Sequence, residues 1–415
     1  MKVLLVVPPE LRQGPYFDIP TNILYLLSAL KTVGIECAFV DGNIVGMEGI
    51  IAALDKFHPE IVGVSSMVPA RFHALDVARH AKEHGARTVI GNHYAQWLWS
   101  QVMTHPYVDA CAFGEGERTI VSLAQQDDWS TIPGLALRHA DGTVYRTPST
   151  APIAILDDIV FPAWSEVNWA LYRQPSALGP RLFYSRGCMN HCRFCQSRGF
   201  WHGYRHRGPQ NVLDELQILA DLDQRDIILG DDAIAPEPAM ELFDAIARAK
   251  PQLGMMQFNV TTRSDGITEE LCQRMQVSGV YEVCLGIESG SQCVLDHMDK
   301  GITVEQNRQA IRMLKEAGIR VKALMIFHSI GETPEDLALS YQFLNETKPD
   351  SIGTIDCLWL FPGTRYYEEA KRGKYDYLIH SGRDLVTDAF WRDPAYTDCV
   401  IAWRDGYVFS MRVVS

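Results

Sequence analysis

Arg181-Leu182-Phe183-Tyr184-Ser185-Arg186-Gly187-Cys188-Met189-Asn190-His191-Cys192-Arg193-Phe194-Cys195 sets a run of strand character directly before three thiols that fall within eight residues. Thiolates select iron–sulfur clusters, zinc or copper over hard cations, so the loop reads first as a soft-metal site. Three cysteines at this spacing can wrap one centre from one loop. A four-iron cubane held by them keeps one iron open to a substrate or cofactor. The other reading is zinc, with His191, His202 or a distant Cys as fourth ligand. Zinc loops usually bring their ligands as two separated pairs, whereas here all three sit together at a strand end.

Downstream, strand-like runs recur at Asp226–Gly230, Met256–Thr262, Tyr281–Ile287, Val321–Phe327 and Ile352–Leu360. Helix-length segments lie between them, such as Gln210–Ala220, Pro238–Ala249 and Val304–Ala317, the last followed by Gly318 as a stop signal. With Arg181–Ser185 these make six βα units, fewer than the eight that close a barrel. An open, partial (β/α)6 barrel is expected, with its site at the strand carboxyl ends. Polar groups fall there: Asp231-Asp232 after the second strand, Arg263-Ser264 after the third, Glu288-Ser289 after the fourth. A carboxylate pair can accept hydrogen bonds from an ammonium or a ribose, or one of the two can merely cap the next helix. An Arg can bridge a carboxylate with two parallel hydrogen bonds. Gly331-Glu332-Thr333 and Phe361-Pro362-Gly363-Thr364 are expected to shape loops and cap helices.

Upstream, five strand-like runs (Val3–Val7, Glu36–Asp41, Ile61–Ser66, Arg87–Gly91, Val108–Gly114) alternate with helical ones (Thr21–Val33, Met47–Phe57, Pro69–His84, Tyr94–Met103, Glu117–Gln126). That pace predicts an α/β fold, a doubly wound, Rossmann-like parallel sheet over residues 1–147. Its ligands should bind beyond the strand carboxyl ends at the switch in strand order, near Pro8–Ile19, Ser65–Arg71, Gly91–His93 and Gly114–Glu117. No Gly-x-Gly-x-x-Gly follows the first strand, which weakens a nicotinamide or flavin reading. Asp141-Gly142 between Leu135–Arg138 and Thr143–Arg146 predicts a hairpin. Proline-punctuated residues 148–180 read as a connector to a barrel over 181–365, and 366–415 as a C-terminal extension. That extension carries Trp391, Tyr396, Trp403 and Tyr407, too apolar for disorder. Its Cys399, with Cys357 before it, leaves too few thiols for a second cluster.

A chain of 415 residues suits two or three domains, and 47% hydrophobic with 21% charged residues is ordinary for a globular protein. A net charge of -13 argues against nucleic acid and against anionic membrane as partners. Trp201-His202-Gly203-Tyr204-Arg205-His206-Arg207 mixes bases and aromatics as a nucleic-acid stacking platform would. In so acidic a chain its expected work is to pack over the cluster and offer Arg205 or Arg207 to a carboxylate or phosphate. Ten cysteines, three of them in one loop, do not form a disulfide framework and fit a reducing cytoplasm. Pro8-Pro9 cuts the opening apolar run too early for a signal peptide, and no stretch approaches the roughly 18 apolar residues of a membrane span.

Cys188-x-x-x-Cys192-x-Phe194-Cys195 resembles the signature loop of the radical S-adenosylmethionine (SAM) enzymes. The resemblance implies that Cys188, Cys192 and Cys195 hold a 4Fe-4S cluster whose open iron chelates SAM by its amine and carboxylate. One electron, from an external flavodoxin- or ferredoxin-like donor, then cleaves the sulfonium to a 5′-deoxyadenosyl radical. By the same resemblance Phe194, Asp231, Asp232, Arg263, Glu288 and Ser289 contact SAM. Asp41-Gly42, Val62-Gly63-Val64-Ser65, Gly91-Asn92-His93 and Phe113-Gly114-Glu115-Gly116-Glu117 are similar, in order and spacing, to the cobalamin-binding domain that precedes the radical domain in one large subfamily. Cobalamin contacts are thereby implied for Ser65, Ser66, Gly91, His93, Gly114 and Glu115. Two departures stand out: the Asp-x-His-x-x-Gly motif is absent, and the usual double glycine before His93 is Gly91-Asn92. The subfamily's usual outcome is methylation of an unactivated carbon of a small molecule. The alternative keeps the radical beside a vestigial cobalamin domain and leads to dehydration, epimerisation or rearrangement. A cobalamin or metal sensor would leave the strand-end polar set without a purpose.

Overall fold

Lys2–Val7 (β1) buries Val3 to Val6 almost completely, as a strand covered on both faces requires. In the computed structural model of the chain β1 is flanked by Glu36–Asp41 (β2) and Ile61–Ser65 (β3). Arg87–Gly91 (β4), Ala110–Ala112 (β5), Leu135–Arg138 (β6) and Val144–Arg146 (β7) complete a sheet of order β2-β1-β3-β4-β5-β6-β7. The structure describes residues 1–9, 18–172, 179–230, 232–355, 358, 360–375, 399–404 and 407–413.

Strands β1 to β5 pair parallel, and order reverses between β1 and β3, which makes their carboxyl ends the switch point. Helices Thr21–Thr32 (α1), Gly42–Phe57 (α2), Arg71–Glu83 (α3), Asn92–Val102 (α4) and Gly116–Gln125 (α5) follow the five strands in turn. Val3, Leu5, Ile23, Leu27, Ile61, Val89, Ile120 and Trp129 share one core. Helix α2 starts at Gly42 rather than at the expected Met47. Asp41 caps it, Oδ1 accepting from Asn43 N at 3.0 Å, and the helix bends at Gly46, where φ is 66°. The Asp141-Gly142 hairpin forms, and its apolar pattern did not reveal that β6 pairs antiparallel with β5 and so extends the sheet. A short helix of the connector, Trp169–Tyr172 (α6), is tied to the same unit by Tyr172 Oη, which donates to Asp41 Oδ2 at 2.9 Å.

The chain divides into two units, Met1–Arg181 with Asp221–Gln224, and Leu182–Ala220 with Arg225–Ser415. In the second, the expected first strand is broken: Arg181–Leu182 (β8) joins the main sheet, while Ser185–Arg186 (β9) pairs antiparallel with Arg205–His206 (β10) on either side of the thiol loop. Asp226–Leu229 (β11), Gln257–Arg263 (β12), Val280–Glu288 (β13), Arg320–Ile326 (β14) and Ser351–Ile355 (β15) give the order β15-β14-β13-β12-β11-β8. From β11 to β15 every pairing is parallel, the open partial barrel that six units predict. Of the expected sixth strand, Ile352–Leu360, the part up to Ile355 is strand, and residues 356, 357 and 359 lie outside the described residues.

Helices Ser197–Trp201 (α7), Pro209–Asp221 (α8), Pro236–Leu253 (α9), Glu269–Ser278 (α10), Gln292–His297 (α11), Val304–Glu316 (α12), Pro334–Thr347 (α13) and Arg365–Lys371 (α14) complete this unit. Thr303 with Gln306 and Thr333 with Asp336 form capping boxes that fix where α12 and α13 begin, and so where the segment after α11 and the loop after β14 end. Cys399–Arg404 (β16) and Tyr407–Val413 (β17) pair antiparallel. Among the described residues no helix is long and apolar enough to cross a membrane.

Candidate functional site

Gly187 turns the chain out of β9 at φ 91°, where a Cβ would lie 1.8 Å from Gly203 O, so only glycine fits. The three thiols follow. Asn190 Nδ2 donates to Cys188 Sγ at 3.4 Å, Arg263 Nη1 to Cys192 Sγ at 3.7 Å, and Ser197 N to Cys195 Sγ at 3.4 Å. Burial pushes the Cys192 thiol up, against the opposing pull of Lys300 and Arg263, and raises Cys195 to about 12. Cys188 and Cys192 are half-buried and Cys195 is exposed; thiols are deprotonated when a metal takes the proton's place, which is the chemistry a cluster's irons supply. The thiols are near enough to feel one another's charge. Yet no three His, Cys, Asp or Glu side chains among the described residues gather as one metal ion would need. His191 is engaged by Arg198, and His202 is the left-handed C-cap of α7.

Three strand ends, those of β11, β12 and β13, carry the polar groups expected around this loop. Asp231 lies outside the described residues. Asp232 accepts from Ser197 Oγ at 2.7 Å and so holds the residue that donates to Cys195. Arg263, expected to bridge a cofactor carboxylate, has its guanidinium shared among Asp265 (3.1 and 3.0 Å), Lys300 O (2.8 Å) and Cys192. Glu288 ends β13 at φ 64°, and its Oε1 accepts from Lys300 Nζ at 2.7 Å with both side chains almost fully buried. A Cβ at Gly286 would lie 2.9 Å from Lys300 Nζ and 3.0 Å from Glu288 Oε1, closer than van der Waals contact allows, so the glycine makes room for the pair. Lys300 also lies 6.0 Å from the Phe194 ring centroid. Ser289 is fully buried, its hydroxyl 3.1 Å from Ser340 Oγ and accepting from Ser291 N at 3.1 Å. Its side chain therefore serves the packing of α13 against the loop.

Lys300 and Asp265 are the functional candidates that sequence reasoning missed, since a Lys in Met-Asp-Lys-Gly reads as a solvated turn. Together the site offers cations (Arg263, Lys300) suited to a carboxylate and anions (Glu288, Asp232) suited to an ammonium or ribose hydroxyls. Glu332, in the loop after β14, accepts from Ser329 N at 3.0 Å; burial raises its carboxyl to about 7 and its Oε1 is buried without a partner. The expectation that Arg207 is offered to a ligand is corrected: it is buried in an ion pair with Glu215, Nη1 to Oε2 at 2.5 Å, and donates to Asn211 Oδ1. Arg205 donates to Trp201 O, and Arg186 lies over the Trp201 ring, which makes the aromatic run a packed wall.

In the first unit, Ser65 Oγ accepts from Asn22 Nδ2 at 2.7 Å and from Asn92 Nδ2 at 3.1 Å, which ties the end of β3 to the first turns of α1 and α4. Asn92 adopts φ 70°, the region glycine favours, and its Oδ1 accepts from His93 N at 2.8 Å. Asn thus reproduces the turn of the usual second glycine, since its side chain bonds locally in that conformation. Ser66 is fully buried with its hydroxyl on Met67 O, Gly114 N donates to Gln96 Oε1, and Glu115 accepts from Ile153 N. At Gly91 an added Cβ would meet nothing within 4 Å, while Met67 and Phe72 are 38% and 48% exposed. Open space at Gly91 after β4 and the exposed apolar Met67 and Phe72 after β3 are features that suit a large flat group such as a corrin.

Comparison with known proteins decides the family. The radical SAM superfamily matches residues 182–344, and the B12 binding domain matches residues 15–124. The chain belongs to the radical SAM superfamily, in the group that carries a B12-binding domain. Such domains take a 4Fe-4S cluster with SAM, and cobalamin. This radical SAM chain is 31% identical over 354 residues to the anaerobic magnesium-protoporphyrin IX monomethyl ester cyclase of Rubrivivax gelatinosus, a match covering 80% of this chain and 62% of that protein. It therefore spans about three fifths of that relative's length. It is 29% identical over 417 residues to cytidylyl-2-hydroxyethylphosphonate methyltransferase of Streptomyces wedmorensis, covering 83% of this chain and 77% of that one. The solved radical SAM methyltransferase TsrM of Kitasatospora setae, with cobalamin and a 4Fe-4S cluster bound, shares its fold, with a TM-score of 0.79 at 21% identity over 92% of this chain and 79% of TsrM.

Proposed function

We propose that the chain is a cobalamin-dependent radical SAM C-methyltransferase acting on a small molecule. The observation that carries the reading is the pairing, in one chain, of a thiol loop ringed by Arg263, Lys300, Glu288 and Asp232 with an open apolar shelf at the switch point around Gly91, Met67 and Phe72. An enzyme that only made the adenosyl radical would need the first alone. When bound, the cluster and SAM supply that radical, and cobalamin supplies a carrier for the methyl group. The chain's own work is to hold three thiolates on one cluster and to match SAM's carboxylate and ammonium with opposite charges. It also leaves the shelf free of a cobalt-ligating Asp-x-His-x-x-Gly loop. In this reading an external flavodoxin- or ferredoxin-like protein gives the electron, in a reducing cytoplasm.

Likeness to the S. wedmorensis methyltransferase over most of its length supports methyl transfer. A second reading, a radical cyclisation without methyl transfer, is favoured by the identity to the R. gelatinosus cyclase. Anaerobic reconstitution followed by mass analysis of SAM products separates them. Methyl transfer gives both S-adenosylhomocysteine and 5′-deoxyadenosine, cyclisation gives 5′-deoxyadenosine alone, and protein that retains no cobalamin yet makes 5′-deoxyadenosine overturns the methyltransferase reading.

A further inference from the structure

Arg193 stands inside the thiol loop, directly after Cys192, and it is buried. Its main chain is pinned on both sides: Arg193 N donates to Met298 O at 2.9 Å, and Tyr366 N donates to Arg193 O at 3.1 Å. Its guanidinium donates through Nη1 to His297 O at 3.0 Å, and through Nη2 to Tyr375 Oη at 3.0 Å and to Glu369 Oε2. Its charge sits 4.7 Å from the Tyr366 ring centroid. Glu369 in turn also accepts from Tyr375 Oη and from Lys374 Nζ. Two elements therefore converge on one residue of the loop, the end of α11 and the segment from α14 to Tyr375.

A loop of three thiols has few internal restraints, and a buried Arg is stable only while its carboxylate partner and acceptors stay in place. Groups that hold ligands from behind set metal affinity almost as strongly as the ligands do. We propose that Arg193 is the positioning residue of the cluster loop: clamped by Glu369, Tyr375 and His297 O, it fixes the turn from Cys192 to Cys195 so that both thiolates serve one cluster, with α14 as the brace. The inference rests on the reading of the loop as a cluster site.

The test uses the full chain, reconstituted anaerobically, in wild type and in Arg193→Met, Arg193→Lys and Glu369→Gln. Iron and sulfide per chain, the rate of iron release to a chelator, and the electron paramagnetic resonance spectrum after dithionite reduction are read. Arg193→Met and Glu369→Gln should release iron about 10–100-fold faster than wild type and show an altered spectrum. Arg193→Lys, which keeps the charge but loses the forked geometry, should fall between. Leu314→Ala, a buried change in α12 away from the network, controls for general loosening and should keep wild-type release. Glu369→Gln lies outside the loop, so the question stays answerable if an Arg193 variant fails to fold. Unaltered release and spectrum in Arg193→Met and Glu369→Gln overturn the inference, as does release that merely follows melting temperature across all variants. Wild-type protein that takes up no iron overturns the cluster reading itself, and the inference with it.

Discussion

At the strand carboxyl ends of the barrel unit, charged side chains are each held by a partner: Glu288 by Lys300, Arg263 by Asp265 and Cys192, Asp232 by the Ser197 hydroxyl. At the same position in the first unit's parallel sheet, the polar groups are neutral amides and hydroxyls, Asn22, Asn92 and Ser65, and beside them lie open space at Gly91 and exposed Met67 and Phe72. The difference follows from what each ligand demands. A small charged group needs opposite charges preset in a dry site, where each costs lost hydration unless it is paired. A large flat group needs area and an unobstructed backbone, and few fixed charges.

The largest effect should come from the thiols. Cys188→Ala, Cys192→Ala and Cys195→Ala together should reduce iron from about four per chain to near none, by metal analysis of anaerobically purified protein; stoichiometric zinc without iron in the wild type would remove the cluster side of the contrast. On the other side, Gly91→Trp fills the open space and should abolish retention of about one cobalamin after desalting while leaving iron content unchanged. Retention at wild-type level would mean the shelf is not where the corrin sits.

Glu288→Ala leaves Lys300 buried without its partner and should cost about 3–5 kcal/mol in unfolding free energy. SAM affinity should fall roughly ten- to a hundredfold. Adding Lys300→Met should restore much of the stability but not the affinity, measured by denaturant unfolding and equilibrium binding. Recovery of both would make the pair structural. The smallest effect is a pH dependence. Burial raises the Glu332 carboxyl to about 7, so the folded state holds a proton that the unfolded chain has already lost. Stability should therefore fall as pH rises from about 4.5 through 7, by an order of 1–3 kcal/mol. Glu332→Gln should flatten the difference in melting temperature between pH 5 and 8, and parallel slopes in the two proteins would show that Glu332 does not titrate there.

The thiol loop and the order of strand-end residues were legible because they are written in short spacings. The charges that complete the site were not. Lys300 looks like a turn lysine until β13 and the end of α11 bring it to Glu288, and Arg193 finds its carboxylate 176 positions away. The break of the first barrel strand into β8 and β9 escaped notice because β9 is claimed by β10, a partner of only two residues. Asn92 could be read, since Asn is the side chain that best replaces glycine at positive φ. The fate of Ser66, Ser289 and Glu115 could not, because it depends on which neighbour each meets first.

The clamp on Arg193 also separates two kinds of boundary. The match to the radical SAM superfamily model ends at residue 344, but the groups that grip the thiol loop, Tyr366, Glu369 and Tyr375, come after it. A minimal domain trimmed to the recognisable segment, or a chimera that borrows its tail from a relative, would keep every cysteine and still exchange the far jaw of the vice that holds them.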